Sequence, residues 1–226
     1  MSPRQRAEVI AIDGPAGAGK SSTASGVARA LGFRHVDSGG FYRAAALLAL
    51  RHGLAGGEAG AGADLARLLR DAEIEQLTGP SGNRTLLNGE DVTEALRKPA
   101  VSAVVSRVAA SPDVRRVVTR KLRATARGGA VVMDGRDIGS VVFPRARLKV
   151  YLDAAVEERA RRRSDADRRA VAPQTLERRD GADRSRSTAP LARAPDAVVI
   201  RTDDLTLEEQ VRRIVALFRD RTGARG

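Results

Sequence analysis

Residues 14–21 read Gly-Pro-Ala-Gly-Ala-Gly-Lys-Ser, which fits the spacing G-x-x-x-x-G-K-[ST] of a phosphate-binding loop. The residue types suit an anionic ligand. Gly14, Gly17 and Gly19 tolerate unusual backbone angles and let N–H groups approach oxygen atoms closely. In such a loop the lysine, here Lys20, reaches the β- and γ-phosphates of a nucleoside triphosphate, and the hydroxyl of Ser21 meets the Mg²⁺ that travels with them. The stretch Gly14, Pro15, Ala16, Gly17, Ala18, Gly19, Lys20, Ser21 and Ser22 is therefore the candidate triphosphate site.

Phosphoryl transfer asks a protein mainly for positioning and for cations around the transferring oxygens. Three further clusters offer them. Asp37-Ser38-Gly39-Gly40-Phe41-Tyr42-Arg43 is one, Asp134-Gly135-Arg136-Asp137 a second, and the run from Arg178 to Arg186 a third. By turn chemistry alone Asp-Gly-Arg-Asp also reads as a plain turn. Asp13 is expected to end a strand and support the loop, and Asp134 to orient Arg136 or a magnesium-bound water. Phe41 and Tyr42 are expected to pack. His35 and His52 have no sequence neighbours that would make a triad or a metal cluster, and are expected at the surface or at strand ends.

The elements that must hold these residues follow from short apolar runs. Val9–Ile12 precedes the loop, and Ala24, Val27, Ala28 and Leu31 follow it at helical spacing. Arg34–Val36, Ala130–Met133, Leu148–Leu152 and Ala197–Ile200 complete five runs, and their weak polar alternation predicts strands buried on both faces of a parallel sheet. Thr206-Leu207-Glu208-Glu209 fits a capping box, with Leu207, Val211, Ile214, Val215 and Phe218 expected to line the buried face of the last helix. Together these predict an α/β fold with helices on both faces of the sheet. Ala55–Ala63 reads as a loose connection, and residues 72–77 and 84–87 as a small antiparallel hairpin. Residues 157–186 carry ten arginines and seven acidic residues, the composition of a mobile lid or of a solvated, ion-paired helix pair.

Composition narrows the partners. The chain has 226 residues, 42% of them hydrophobic, enough for one sizeable core. It has no cysteine, no apolar run long enough to span a membrane and no apolar leader, which fits a cytoplasmic protein. The net charge of +12 could serve nucleic acid, but aromatics are only 3% and no basic stripe carries stacking rings. A small polyanionic substrate accounts for the charge equally well. A GTPase-like switch is a further reading of the loop, although no Asn-Lys-x-Asp segment occurs. No apolar stripe is left over, so a monomer is expected.

The order of motifs resembles the bacterial cytidylate kinases, a family of P-loop nucleoside monophosphate kinases. The resemblance rests on Ile12-Asp13-Gly14-Pro15-Ala16-Gly17-Ala18-Gly19-Lys20, Asp37-Ser38-Gly39 with Tyr42-Arg43, Asn88-Gly89-Glu90-Asp91-Val92, and Asp134-Gly135-Arg136-Asp137-Ile138-Gly139 leading into Val141-Val142-Phe143-Pro144. Arg178-Arg179-Asp180, Asp183, Arg186 and Pro190-Leu191 complete it, so it spans nearly the whole chain. It implies a P-loop kinase fold: a five-stranded parallel sheet, a monophosphate-binding insertion with a small antiparallel sheet, and an arginine-rich lid. The implied bounds are a core of about 7–37, 103–158 and 188–222, an insertion of about 38–102 and a lid of about 159–187. It implies transfer of the γ-phosphoryl group of MgATP to CMP or dCMP, with a UMP/CMP kinase or another small-molecule kinase as the nearest alternative, and neither nucleic acid nor membrane as partner. Lys20, Arg136, Arg186 and Asp134 would be catalytic. Arg43, Arg136 and Arg186 would hold the acceptor phosphate, and Arg179 and Asp183 the ribose. Ser106, Arg115 and Asp137 would read cytosine, and Ser38 and Asp134 would line the site. Two departures stand out. The segment from Arg163 to Arg178 is short for the family, and Gly40-Phe41 replaces a commoner Ala-Met or Ala-Ile pair, for which a packing change is expected.

Overall fold

Strand β1 (Val9–Asp13) is buried along its whole length and sends alternate side chains into two apolar layers. Val9 and Ala11 face one layer with Val131 and Met133, while Ile10 and Ile12 face the other with Val132, Val150 and Leu152. The period of two thus divides one strand between two cores. The computed structural model describes residues 8–56, 60–79, 82–167, 170–186 and 188–223. Among them, β1 is flanked by β6 (Val131–Gly135) and β7 (Leu148–Asp153), with β2 (Arg34–Asp37) and β8 (Val198–Arg201) at the edges. All four pairings are parallel. Helices α1 (Lys20–Leu31) and α8 (Leu207–Thr222) cover one face. Helices α2 (Ser38–Arg51), α4 (Pro99–Ala110) and α5 (Pro112–Thr125) cover the other.

The expectation of strands buried on both faces fails at one edge. In β8 only Ile200 is buried and Val199 is 40% exposed. The capping box of α8 forms, with Thr206 Oγ1 accepting from the Glu209 amide and the Glu209 carboxylate accepting from the Thr206 amide at 2.8 Å. Leu207 nevertheless stays 42% exposed, and it is Gln210 of the same turn that is buried, accepting from Thr23 Oγ1 of α1 at 2.7 Å.

The stretch expected to be loose is shorter than its composition suggested. Helix α3 (Ala61–Asp71) begins inside it and buries Leu65 and Leu69, while residues 57–59 lie outside the described residues. The hairpin is β3 (Ile74–Gly79) with β4 (Gly82–Leu87), joined by a short third strand, β5 (Glu90–Asp91). Pro80 and Ser81 of its turn lie outside the described residues. The hairpin is tied to the end of β2. Gln76 donates from Nε2 to the Asp37 carbonyl at 2.9 Å and accepts from the Asp37 amide at 2.8 Å. A Cβ at Gly40 would lie 2.2 Å from Gln76 Nε2, so the missing methyl at Gly40 is what admits this clamp.

Asp13 ends β1, as expected, but its side chain supports the turn after β6 rather than the phosphate loop. Its carboxylate accepts from the amides of Ile138 at 2.8 Å and Gly139 at 2.7 Å, pinning the wide helical turn Ile138–Val142 that follows β6. Burial pushes its carboxyl up to about 7 from the ordinary 3.8, against the two amides, which pull it down. The folded state therefore holds a proton that the unfolded chain releases earlier, and the stability this brings is complete below about pH 4 and lost as pH rises through about 7. Asp13→Asn should make the decline in urea midpoint between pH 5 and 8 shallower, whatever its effect on the absolute midpoint. An unchanged slope would show that Asp13 does not set it.

Candidate active site

The loop leaves β1 against the neighbouring strand. Gly14 has φ +152°, and a Cβ there would sit 2.2 Å from the Leu152 carbonyl oxygen, so no other residue fits this exit. Helix α1 then starts at Lys20 with Gly19 as its N-cap, and no side chain caps its first N–H groups. Those groups and the positive end of the helix dipole are what a phosphate binds. Lys20 is buried and its Nζ donates to the Pro15 carbonyl at 2.5 Å, inside the loop itself. Burial first, then the charges of Arg136 and Arg179, hold its pKa well below the ordinary lysine range, while Asp134 and Asp13 pull it back up. An anion arriving beside Lys20 meets a cation short of counter-charge.

Asp134 lies at the carboxyl end of β6, opposite Asp37 of β2. Ser21 Oγ donates to its Oδ2 at 2.7 Å, and His35 Nε2 lies 2.7 Å from its Oδ1. The Asp134 backbone carbonyl accepts from Ser38 Oγ at 2.7 Å. Burial alone would raise the Asp134 pKa, but the hydrogen bonds from His35 and Ser21 and the charges of His35 and Lys20 bring it below the ordinary value. The carboxylate is thus ionised and acceptor-only near neutrality. His35 corrects the sequence expectation. It is 5% exposed, lies inside β2 and is paired to Asp134, whereas His52 is exposed as expected. The one available signal was a polar residue at an inner position of a strand that ends in a candidate site.

Four of the arginines expected around an acceptor are held by three aspartates, Asp37, Asp137 and Asp183. Arg43 donates to Asp37 Oδ2 at 2.5 Å. Asp183, almost fully buried, accepts from Arg136 Nε at 2.9 Å on one oxygen and from Arg186 on the other. Arg115 donates to Asp137 Oδ2 and, at 3.0 Å, to the Ala109 carbonyl, and its guanidinium lies 5.2 Å from the centre of the Tyr42 ring. Tyr42 and Phe41 are both buried, so the expectation that they pack holds, and Tyr42 adds this cation–π contact. Ser106 is half-buried on α4, one turn before Ala109. Burial raises the Asp137 pKa despite the charge of Arg115. Burial, followed by the charge of Arg136, brings Arg179 down to about 10, though its side chain still reaches solvent that screens part of the effect. Arg186 is also lowered, by burial first, and feels Arg115 and Arg136. The predicted cations therefore do share one cleft.

The arginine-rich segment forms two helices, α6 (Val156–Asp167) and α7 (Pro173–Arg184). Part of it is solvated ion pairing, as in Arg161 with Glu158 and Asp165. A second part was missed. Arg159 and Asp180 form a buried 2.6 Å pair, with Asp180 Oδ1 accepting from the Ala16 amide at 2.9 Å and Arg159 donating to the Ala16 carbonyl at 2.8 Å. These two side chains clip both helices to the phosphate loop. Their pairing depends on how α6 packs on α7, and no sequence spacing reports that.

The donor set near Ser21 is hard oxygen, a hydroxyl beside an ionised carboxylate, and suits a hydrated Mg²⁺ brought in by a nucleotide. Among the described residues no group of three or more His, Cys, Asp or Glu forms a metal cage, and no helix is long and apolar enough to cross a membrane.

Comparison with known proteins agrees with the motif order. The cytidylate kinase from Geobacillus kaustophilus is 47% identical over 221 residues, covering 95% of this chain and 97% of the relative. The cytidylate kinase from Symbiobacterium thermophilum is 47% identical over 225 residues, with the same coverage. A solved structure of an uncharacterized protein from Eubacterium ventriosum matches the fold with a TM-score of 0.52 at 11% identity, covering 96% of this chain and 99% of that one. The family model described as cytidylate kinase matches residues 10–220, and with it this chain belongs to the cytidylate kinase family.

Proposed function

We propose that this protein transfers the γ-phosphoryl group of MgATP to CMP or dCMP, giving ADP and CDP or dCDP. One observation carries the reading. Ser21 of the phosphate loop donates to Asp134 at 2.7 Å, and two residues further along the chain Arg136 shares Asp183 with Arg186, so the donor loop and the acceptor arginines adjoin at the end of β6. Residues 14–22 hold the triphosphate through backbone amides, and Lys20 follows the β- and γ-phosphates. Magnesium would come with the nucleotide and supply positive charge to its phosphates, and the Ser21 hydroxyl would be the contact from the chain.

Arg43, Arg136 and Arg186 grip the acceptor phosphate. Its attacking oxygen must approach the γ-phosphorus in line, and the guanidinium groups offset repulsion between two anions. Each oxygen of Asp183 keeps a lone pair beyond its arginine contact, which leaves it able to take a ribose hydroxyl alongside Arg179. Asp134 orients Ser21 rather than acting as a base, because its lowered pKa makes it a weak one, and the expected hold on Arg136 falls to Asp183 instead. At the base end, Asp137 Oδ1 accepts from the cytosine amine while Arg115 donates to a ring acceptor and Ser106 completes the contact. Uracil would set a carbonyl against that carboxylate, leaving buried polar groups mismatched. A cysteine-free enzyme of nucleotide pools fits the cytoplasm.

Purified protein with MgATP should release ADP with CMP and dCMP, and far less with UMP, AMP, GMP or shikimate. Failure to form any CDP overturns the reading, and equal use of UMP turns it into a UMP/CMP kinase. Lys20→Met should cut kcat by roughly 10²–10³-fold. Because the folded state holds this lysine in an unfavourable environment, the melting temperature should stay level or rise; activity near the parent's would remove Lys20 from the mechanism. Asp137→Asn can donate to the uracil carbonyl, so the CMP-to-UMP ratio of kcat/KM should fall by roughly tenfold or more. An unchanged ratio would place base reading elsewhere.

A further inference from the structure

His35 is the buried titratable group that the mechanism above leaves unused. Its ring meets Asp134, which in turn accepts from Ser21 of the phosphate loop, and its backbone carbonyl accepts from Thr78 Oγ1 at 3.3 Å and from Asn83 Nδ2 at 3.2 Å, so the hairpin fixes β2 at this residue. We propose that His35 is a positioning residue for the donor site: Nε2 donates to Asp134 Oδ1 and fixes the carboxylate so that Oδ2 accepts the Ser21 proton and both Ser21 lone pairs are left for the magnesium carried by ATP.

The direction of each hydrogen bond follows from the geometry. Ser21 Oγ donates to Oδ2, and the other carboxylate oxygen, an acceptor, faces Nε2 at 2.7 Å, so the proton of that contact sits on Nε2. A serine whose proton is committed to a carboxylate presents oxygen, not hydrogen, to a cation. Without a donor at Oδ1, the buried carboxylate loses one of its two side-chain partners, can turn about its Cβ–Cγ bond, and no longer holds Oδ2 on the Ser21 proton. Asp37, which also acts on His35, is engaged with Arg43 and Gln76 and supplies no substitute.

The inference rests on the proposed donor site, and the experiment separates the two. The probe is ADP, bound with and without Mg²⁺ and measured by calorimetry. The parent protein should bind ADP more tightly with Mg²⁺; if it does not, the donor-site reading itself fails. Given that enhancement, His35→Phe keeps the shape without the donor and should reduce it about tenfold. Mg²⁺-free ADP affinity should change less than twofold. His35→Gln, whose amide reaches the place of Nε2, should restore most of the enhancement. Should His35→Phe not fold, His35→Asn, too short to reach Oδ1, should show the same loss. In turnover, KM for MgATP should rise and kcat fall, while KM for CMP stays within about twofold. A full Mg²⁺ enhancement in a folded variant lacking the donor overturns the proposal. So does equal impairment in His35→Gln, since that would mark His35 as mere filling.

Discussion

The cleft is organised around a shortage of negative charge. Lys20 is buried with Arg136 and Arg179 close enough to depress its pKa, and Arg179 feels Arg43, Arg136 and Arg163 in turn. Such crowding opposes folding and favours any polyanion that enters. Folding tolerates it because five of the cations find local acceptors. Lys20 uses the Pro15 carbonyl, Arg43 uses Asp37, Arg136 and Arg186 share Asp183, and Arg115 uses Asp137. The acceptors are too few to neutralise the group, and the remainder is binding energy held for two phosphorylated substrates. It is also why the whole-chain charge of +12 says little about nucleic acid: much of what matters faces inward.

The scaffold makes this possible by setting strand ends side by side. Asp13, Asp37 and Asp134 end β1, β2 and β6, three neighbours in a parallel sheet, so their carboxylates gather along the edge where ligands bind in such sheets. Each then takes a different task by what surrounds it. Asp13 accepts two backbone amides and shapes the turn after β6, Asp37 restrains Arg43, and Asp134 links Ser21 to His35. Two apolar layers, one on each face, keep the sheet rigid enough for carboxylates only a few ångströms apart to hold separate roles.

What was legible in the sequence had a local cause. The phosphate loop is legible because its glycines answer a steric demand, as Gly14 against Leu152 makes plain. The five strands are legible because both faces of most of them are buried, and the last helix because its capping box is local chemistry. The failures share a different cause, which is position in the assembled sheet. Val199 reads as core and lies on an edge strand; Leu207 reads as core and is the first residue of its helix, where Gln210 takes the buried place. His35 reads as surface because its partner is 99 residues away, and Arg159 with Asp180 read as generic lid charge because packing of α6 on α7 decides which arginine turns inward. The departure at Gly40 was visible in sequence, but its meaning, room for the Gln76 amide, was not.

Helix α7 shows how the donor and acceptor halves are made to act together. Asp180 and Asp183 stand three residues apart, so both carboxylates project from one side of the helix about one turn apart. Asp180 holds the Ala16 amide of the phosphate loop, and Asp183 holds Arg136 and Arg186 of the acceptor cluster. Both aspartates are almost fully buried, so neither contact is weakened by solvent as the surface pairs of α6 are. Because one turn carries both, α7 ties the Ala16 amide of the phosphate loop and the Arg136 guanidinium to a single element, and Arg186, which follows the helix, is held to it by Asp183. Two aspartates three residues apart on one helix therefore set the spacing between the phosphate loop and these two arginines.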